Sequence, residues 1–364
     1  MNIQNLKGKR IVLIGGAGFI GSALSISFLK RGDEIGHNLA LHLKSKEADV
    51  SIIDGMQVNN FLSLIDNTDK LPHPELSNAM ILERIHLLKK AKVNLKVQDA
   101  REYHAISSLL AEIDPHVIIQ LSAVSHANRS NKDPYSTFDH SFLTLENALD
   151  CARSPSSSVE QFIFFSSSMV YGNFKGDQAH EDDHCEPLGI YGALKYGSEK
   201  IVIAYNQVFD LPYTIIRPSA LYGERCISRR VGQIFIENAL FGDDIVMSDN
   251  GSESLDFTYI EDLVDGITKC IGNKNAFNQI FNLTYGSACS VAEMAEIVKQ
   301  HFPKINLRNV NRDKLMPKRG TLNVDKAHDL IGYNPNWPLK KGYPKYIEWY
   351  KKFADVTPNL FKKN

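Results

Sequence analysis

Residues 11–21 read Ile-Val-Leu-Ile-Gly-Gly-Ala-Gly-Phe-Ile-Gly: a short, unbroken apolar run followed at once by Gly15, Gly18 and Gly21 in GxxGxxG spacing. The run has the length of one buried strand, and the glycines stand where that strand would turn into a helix. Small residues there allow a tight turn and let the backbone approach a pyrophosphate, which then rests on the positive end of the helix. Runs of the same kind return at Val50–Ile53, Leu95–Val97, Val117–Leu121, Phe162–Phe165 and Tyr213–Ile216, each separated from the next by helical periodicity. Buried strands alternating with helices predict an α/β protein with a doubly wound, parallel Rossmann sheet.

After Arg217 and Pro218 the rhythm changes. Helices are expected over Gln233–Leu240, Tyr259–Ile271 and Ser290–Phe302, the last opened by Ser290 with Glu293 at capping-box spacing. The expectation is therefore a dinucleotide-binding domain over 1–216, with chain returning to the sheet around 251–284. A smaller, mostly helical C-terminal substrate lobe would comprise 217–250 and 285–364, with connectors near 303–320 and 332–344.

Composition narrows the class. The 364 residues are 43% hydrophobic and 23% charged, too apolar for disorder, and the net charge of -1 lacks the basic excess of a protein that tracks nucleic-acid phosphates. Apolar runs of membrane-spanning length do not occur, and the first residues lead into a strand without the apolar stretch of a signal peptide. The five cysteines are scattered and form no CxxC pair, which predicts reduced thiols in a cytoplasm. His180-Glu-Asp-Asp-His184 lacks the helical spacing of a zinc motif, so no metal is expected.

In a dinucleotide fold an acid at the end of the second strand binds the adenosine ribose and repels a 2′-phosphate, favouring NAD over NADP. The best-placed acid is Asp54, yet it lies 33 positions beyond Gly21, where roughly 20 would be usual. Two similar helical units begin at Ile20 and Ile35, so the surplus reads either as a duplicated segment around 22–36 or as one long helix. Asp99, after another strand, is placed to meet the adenine or to cap a helix.

The sharpest signal is Tyr191-Gly-Ala-Leu-Lys195, preceded by Phe165-Ser-Ser-Ser-Met-Val-Tyr-Gly172. Residues i and i+4 share a helix face, so the Lys195 ammonium would sit beside the Tyr191 hydroxyl and favour its phenolate. With a serine hydroxyl from the neighbouring strand, this is an acid–base unit for taking a proton from a carbinol while hydride leaves to nicotinamide.

On these residues the chain resembles the extended short-chain dehydrogenase/reductases that act on nucleotide sugars, the NAD-dependent epimerase/dehydratase family. The likeness also takes in Leu121-Ser-Ala-Val-Ser-His126, Arg217-Pro218, Asp256-Phe-Thr-Tyr-Ile-Glu-Asp262 and Phe281-Asn-Leu283. It implies that Ser167, Tyr191 and Lys195 are catalytic. It places NAD against Gly15, Gly18, Phe19, Ile20, Gly21, Asp54, Asp99, Ala100, Leu121, Ser122, Ala123 and Lys195. A nucleoside-diphosphate sugar would meet Ser125, Ser168, Arg229, Arg230 and Arg319, with Lys318 a further candidate for its phosphates. It also implies a homodimer paired through helices near 136–153 and 191–208.

Two departures from the family pattern stand out, the first narrowing the reaction and the second bearing on phosphate binding. Related dehydratases carry Asp-Glu directly after the catalytic hydroxyl residue, where this chain has Ser168 and Met169, and Met169 has no proton to give. An Arg that usually precedes the Asp-Phe pair is Leu255 here. The resemblance therefore implies an NAD-dependent epimerase, expected to act at C4 through transient oxidation to a keto sugar. A keto-sugar reductase using NAD(P)H would need the same residues, and a non-catalytic cofactor-binding sensor is a third reading.

Overall fold

The computed structural model describes residues 6–22, 40, 43, 44, 46–65, 71–124, 127–311 and 317–361. The segment 22–36, apart from Ser22, lies outside them, as does Ser125. Its centre is a parallel sheet of seven strands: β1 (Arg10–Ile14), β2 (Asp49–Asp54), β3 (Asn94–Val97), β4 (Val117–Gln120), β5 (Gln161–Phe165), β6 (Tyr213–Arg217) and β7 (Gln279–Asn282). The spatial order is β3-β2-β1-β4-β5-β6-β7, so the winding reverses between β1 and β4. Ligands of such sheets bind outside the carboxyl ends of the strands at this reversal.

The strand sequences explain why the sheet is covered on both sides. Side chains alternate across a strand, so Ile11 and Leu13 enter one core while Val12 and Ile14 enter the other. The same split runs through β5, where Ile163 and Phe165 face the first core and Phe162 and Phe164 the second. Each such side chain, taken wholly out of water, contributes about 1.5–3 kcal/mol before the entropy of ordering it. The second core is closed by helices α1 (Tyr103–Ile113), α2 (Thr144–Ala152) and α3 (Gly189–Phe209), through Ile106, Leu149 and Val202.

The first core is the larger, and it continues without a break into the C-terminal part of the chain. Helices α4 (Val231–Phe241), α5 (Ile260–Cys270), α6 (Val291–His301) and α7 (Leu339–Val356) contribute Phe235, Ile267, Met294 and Tyr346 to it. The capping box at the start of α6 is present, Ser290 and Glu293 satisfying each other's backbone N–H groups. None of the helices among the described residues is long and apolar enough to cross a membrane.

Two stretches expected to be connectors carry structure. Within 303–320, Leu307–Val310 forms a short strand paired in parallel with Ile245–Ser248. Within 332–344, α7 begins at Leu339 and runs through Pro344. A proline inside a helix removes one hydrogen bond, but Tyr343, Tyr346, Ile347 and Tyr350 are all 0% exposed, and their burial outweighs that loss.

Candidate active site

Two cavities open at the carboxyl ends of the strands and share a wall made of Ile20, Leu121, Ala123 and Arg230. The first is the cradle expected for a dinucleotide. Gly15, Gly18, Phe19, Ile20, Gly21, Asp54, Asp99, Ala100, Leu121, Ser122 and Ala123 all line it. Gly15 turns the chain at φ 76°, and a Cβ there would stand 2.6 Å from the backbone nitrogen of Ser122. Only glycine lets the ends of β1 and β4 approach this closely, leaving bare backbone where a pyrophosphate would lie.

The two acids of this cavity are more committed than spacing alone implies. Asp54 Oδ2 accepts the backbone N–H of Ala17 at 2.9 Å, and Oδ1 accepts that of Met56 at 2.7 Å. It thus ties the glycine loop to the loop after β2. Burial pushes the Asp54 carboxyl up, against those two N–H groups and the charge of Arg84. Each oxygen keeps a lone pair for a ribose hydroxyl. Asp99 is not a helix cap; it is gripped by Arg101 at 2.7 Å and by Gln57 at 2.7 Å. Burial alone would raise its pKa, but these donors hold it at about 2, so it is an anion throughout the physiological range.

The second cavity takes in Ser167, Ser168, Tyr191, Lys195, Arg229, Arg230 and Arg319. Sequence spacing sets much of this. On α3, Tyr191, Lys195 and Glu199 follow one another at four-residue intervals and so share a face. That face comes close to the serine loop because residue 192 is glycine: a Cβ there would be 2.8 Å from the Met169 carbonyl oxygen. Ser167 has extended backbone and caps the 3-10 turn Ser168–Tyr171, accepting the Met169 N–H at 3.2 Å. It lines the same cavity as Tyr191 and opposes the rise in that hydroxyl's pKa.

The charges are arranged differently from the simple expectation. Lys195 Nζ donates to the Phe165 carbonyl at the end of β5. Burial depresses its pKa to about 8, opposed by Glu199. Burial also pushes the Tyr191 hydroxyl up, and the groups that oppose this are Arg230 and Ser167. Among the described residues, Arg230 is therefore the cation that favours the Tyr191 phenolate.

Behind this wall lies a buried ion pair outside the residues expected to be functional. Arg217 donates to both Glu199 oxygens, at 2.9 and 2.8 Å, and Glu199 also accepts from the Ser166 hydroxyl. Burial alone would lower the Arg217 pKa, but the Glu199 carboxylate holds it above its ordinary value. The four-residue step from Lys195 to Glu199 was a visible signal; the partner on β6 was not.

The basic residues of the second cavity all have internal partners. Arg229 approaches Glu237 at 3.4 Å, Arg230 Nε donates to Ser228 at 3.3 Å, and Arg319 Nη2 donates to Glu253 at 2.9 Å. Leu255 lines the cavity as a buried apolar side chain. Lys318 is exposed and does not line it, meeting the neighbouring loop through its backbone. No group of His, Cys, Asp or Glu among the described residues could hold a metal ion.

Comparison with known proteins places this arrangement. The chain is 27% identical over 344 residues to an uncharacterized UDP-glucose epimerase, YtcB, of Bacillus subtilis (strain 168), spanning 93% of this chain and 97% of that protein. It is 25% identical over 376 residues to UDP-glucuronate 4-epimerase 6 of Arabidopsis thaliana, spanning 98% of this chain and 74% of the plant protein. Among solved structures, UDP-glucuronic acid 4-epimerase from Bacillus cereus, in complex with UDP-glucuronic acid and NAD, superposes with a TM-score of 0.79 at 23% identity, covering 94% of this chain and 99% of its own. The Thermus thermophilus UDP-glucose 4-epimerase complex with NAD gives 0.76 at 20% identity, covering 94% and 99%. A model of the NAD dependent epimerase/dehydratase family matches residues 11–284, from the first strand of the seven-stranded sheet through its last. With that match running across the glycine loop, the serine turn and the Tyr191–Lys195 helix, the chain belongs to the NAD dependent epimerase/dehydratase family.

Proposed function

We propose that the protein is an NAD-dependent 4-epimerase of a nucleoside-diphosphate sugar, with a uridine nucleotide favoured by the relatives' names. The observation that carries this is the shared wall. The Ser167, Tyr191 and Lys195 constellation lines one cavity, the glycine cradle lines the other, and among the described residues only Ile20, Leu121, Ala123 and Arg230 belong to both.

NAD, when bound, supplies a hydride acceptor and later a hydride donor. Tyr191 takes the proton of the sugar hydroxyl, and Ser167, which lines the same cavity, holds the same oxygen in place. Arg230 keeps the phenolate accessible, while Lys195 can leave the Phe165 carbonyl for a ribose hydroxyl. After the keto sugar turns over, its other face is open to hydride return, and Tyr191 gives the proton back to the sugar oxygen. Ser168 is 2% exposed with its N–H donated to Pro218, and Met169 is apolar, so elimination of water has no acid–base pair beside Tyr191.

In this reading residues 1–216 hold the cofactor, while 217–250 and 285–364 close over the sugar nucleotide. The cysteines are free thiols, which supports a reducing, cytoplasmic setting. Phe138, Leu143, Ile190, Val208 and Phe209 are exposed apolar residues on and beside the two helices expected to pair, which supports a homodimer.

The test is proton NMR of UDP-, GDP-, CDP- and dTDP-sugars incubated with the protein and a trace of NAD. Conversion of one sugar into its C4 stereoisomer without accumulation of NADH is expected. Net change in reduced cofactor would overturn the epimerase in favour of a keto-sugar reductase. NAD binding with no turnover of any sugar would favour a cofactor sensor.

A further inference from the structure

The ion pair between Glu253 and Arg319 stands inside the substrate cavity, not beside it. Both side chains line that cavity, and they are 16% and 12% exposed. Arg319 Nη2 donates to Glu253 Oε1, while Arg319 Nε is sealed from solvent and has no hydrogen-bond partner. A guanidinium presents its N–H groups as a rigid fork, so a pose that satisfies Nη2 and strands Nε uses half of one edge. A buried donor without an acceptor is costly, and the arginine gains by moving to a group that meets both nitrogens together. Phosphoryl oxygens have that geometry.

The two partners differ in their freedom to move. Glu253 is pinned: its carbonyl accepts the Val291 N–H at 2.9 Å, and the next residues, Ser254 and Leu255, pair antiparallel with Ser290 and Cys289. Arg319 reaches across on a long side chain from the connection that precedes the two-residue strand Thr321–Leu322. Leu255, two residues beyond Glu253, brings no positive charge of its own to the cavity wall. Among the described residues, the guanidinium of Arg319 is thus the group on this side of the cavity that could meet an anion, and a carboxylate already holds it.

We propose that Glu253 gates Arg319, holding its guanidinium away from the ligand until a nucleoside diphosphate draws it off, so that this pair sets the affinity for the substrate's diphosphate. The proposal rests on the reading of the site as a nucleotide-sugar site. Glu253 is a positioning residue here: it acts through Arg319 and does not touch the ligand. Because binding must break the pair, the observed affinity is the intrinsic affinity reduced by the fraction of Arg319 that is free.

The experiment is calorimetric titration of the full-length, NAD-loaded protein with UDP, in wild type, Glu253→Gln, Arg319→Met and the double variant. Glu253→Gln should bind UDP about fivefold to tenfold more tightly, the scale of one partly screened charge interaction. Arg319→Met should weaken binding, and adding Glu253→Gln to it should give no further gain, the signature of two residues acting as one unit. An equal gain in both backgrounds would overturn the gate, because Glu253 would then simply repel UDP. Weaker binding by Glu253→Gln would also overturn it, making Glu253 a ligand contact. If UDP, GDP, CDP and dTDP all fail to bind wild type and Glu253→Gln alike, the nucleotide-sugar reading fails and the gate with it. NAD affinity, read at a cavity that neither residue lines, reports whether each variant is folded.

Discussion

The cofactor cavity and the substrate cavity meet at one wall yet are built from different materials. The first is shaped largely by backbone: Gly15 against Ser122, the Ala17 and Met56 N–H groups on Asp54, and the Arg101 N–H on Asp99. The second is shaped by long side chains that hold one another, Arg229 with Glu237 and Arg319 with Glu253. A cavity made of backbone is fixed once the fold forms and suits one unchanging ligand. A cavity made of mutually engaged side chains can be retuned one residue at a time without disturbing the sheet, which suits a variable sugar nucleotide.

The comparison can be broken most severely at the wall itself. Tyr191→Phe should lose a factor of about 10²–10⁴ in turnover with NAD binding intact, because proton transfer alone is removed. Steady-state kinetics with a titration of NAD would check this, and near-normal turnover would place the chemistry elsewhere. The backbone side is tested by Gly15→Ala. Strain at a positive φ should cost about 1–3 kcal/mol of stability, and the new methyl must push Ser122 aside, so NAD affinity should fall as well. A thermal melt and a binding isotherm would measure the two effects; a stable variant that binds NAD normally would show that the cradle is not fixed.

On the side-chain face, Arg230→Met should move a pH profile more than it moves the fold. Removing this cation raises the Tyr191 pKa, so the phenolate forms only at higher pH, and the acidic limb of kcat/KM shifts in the alkaline direction. An unmoved limb would return the task to Lys195. The smallest effect is expected for Lys318→Ala. Its side chain is exposed and outside the cavity, so KM should change by less than about twofold. A larger rise in KM would mean that Lys318 swings inward when ligand binds.

What the sequence disclosed follows the same division. Strand runs, the glycine loop and the Tyr191–Lys195 face are local patterns, and local spacing determines them, so they were readable. Asp54 was readable as an acid at a strand end, but its engagement by Ala17 and Met56 depends on two loops meeting. The pairings Glu199–Arg217 and Glu253–Arg319 join residues distant in the chain, and neither member names its partner. The helix through Pro344 was hidden for a related reason: local propensity argues against it, and only the buried tyrosines around it decide otherwise.

The return of the chain to the sheet has a consequence for how the molecule is made. Strand β7 pairs with β6, and everything from 218 to 278 is threaded out and back between them. During synthesis β6 emerges as an open edge, with Ile215 and Ile216 bound for the interior, and it must wait for that whole excursion before its neighbour arrives. Closing so long a detour costs chain entropy before any contact repays it. The nascent protein is thus most exposed to wrong pairing while 218–278 is being delivered. For the same reason, a single nick in that stretch would leave two fragments still clasped by one parallel ladder.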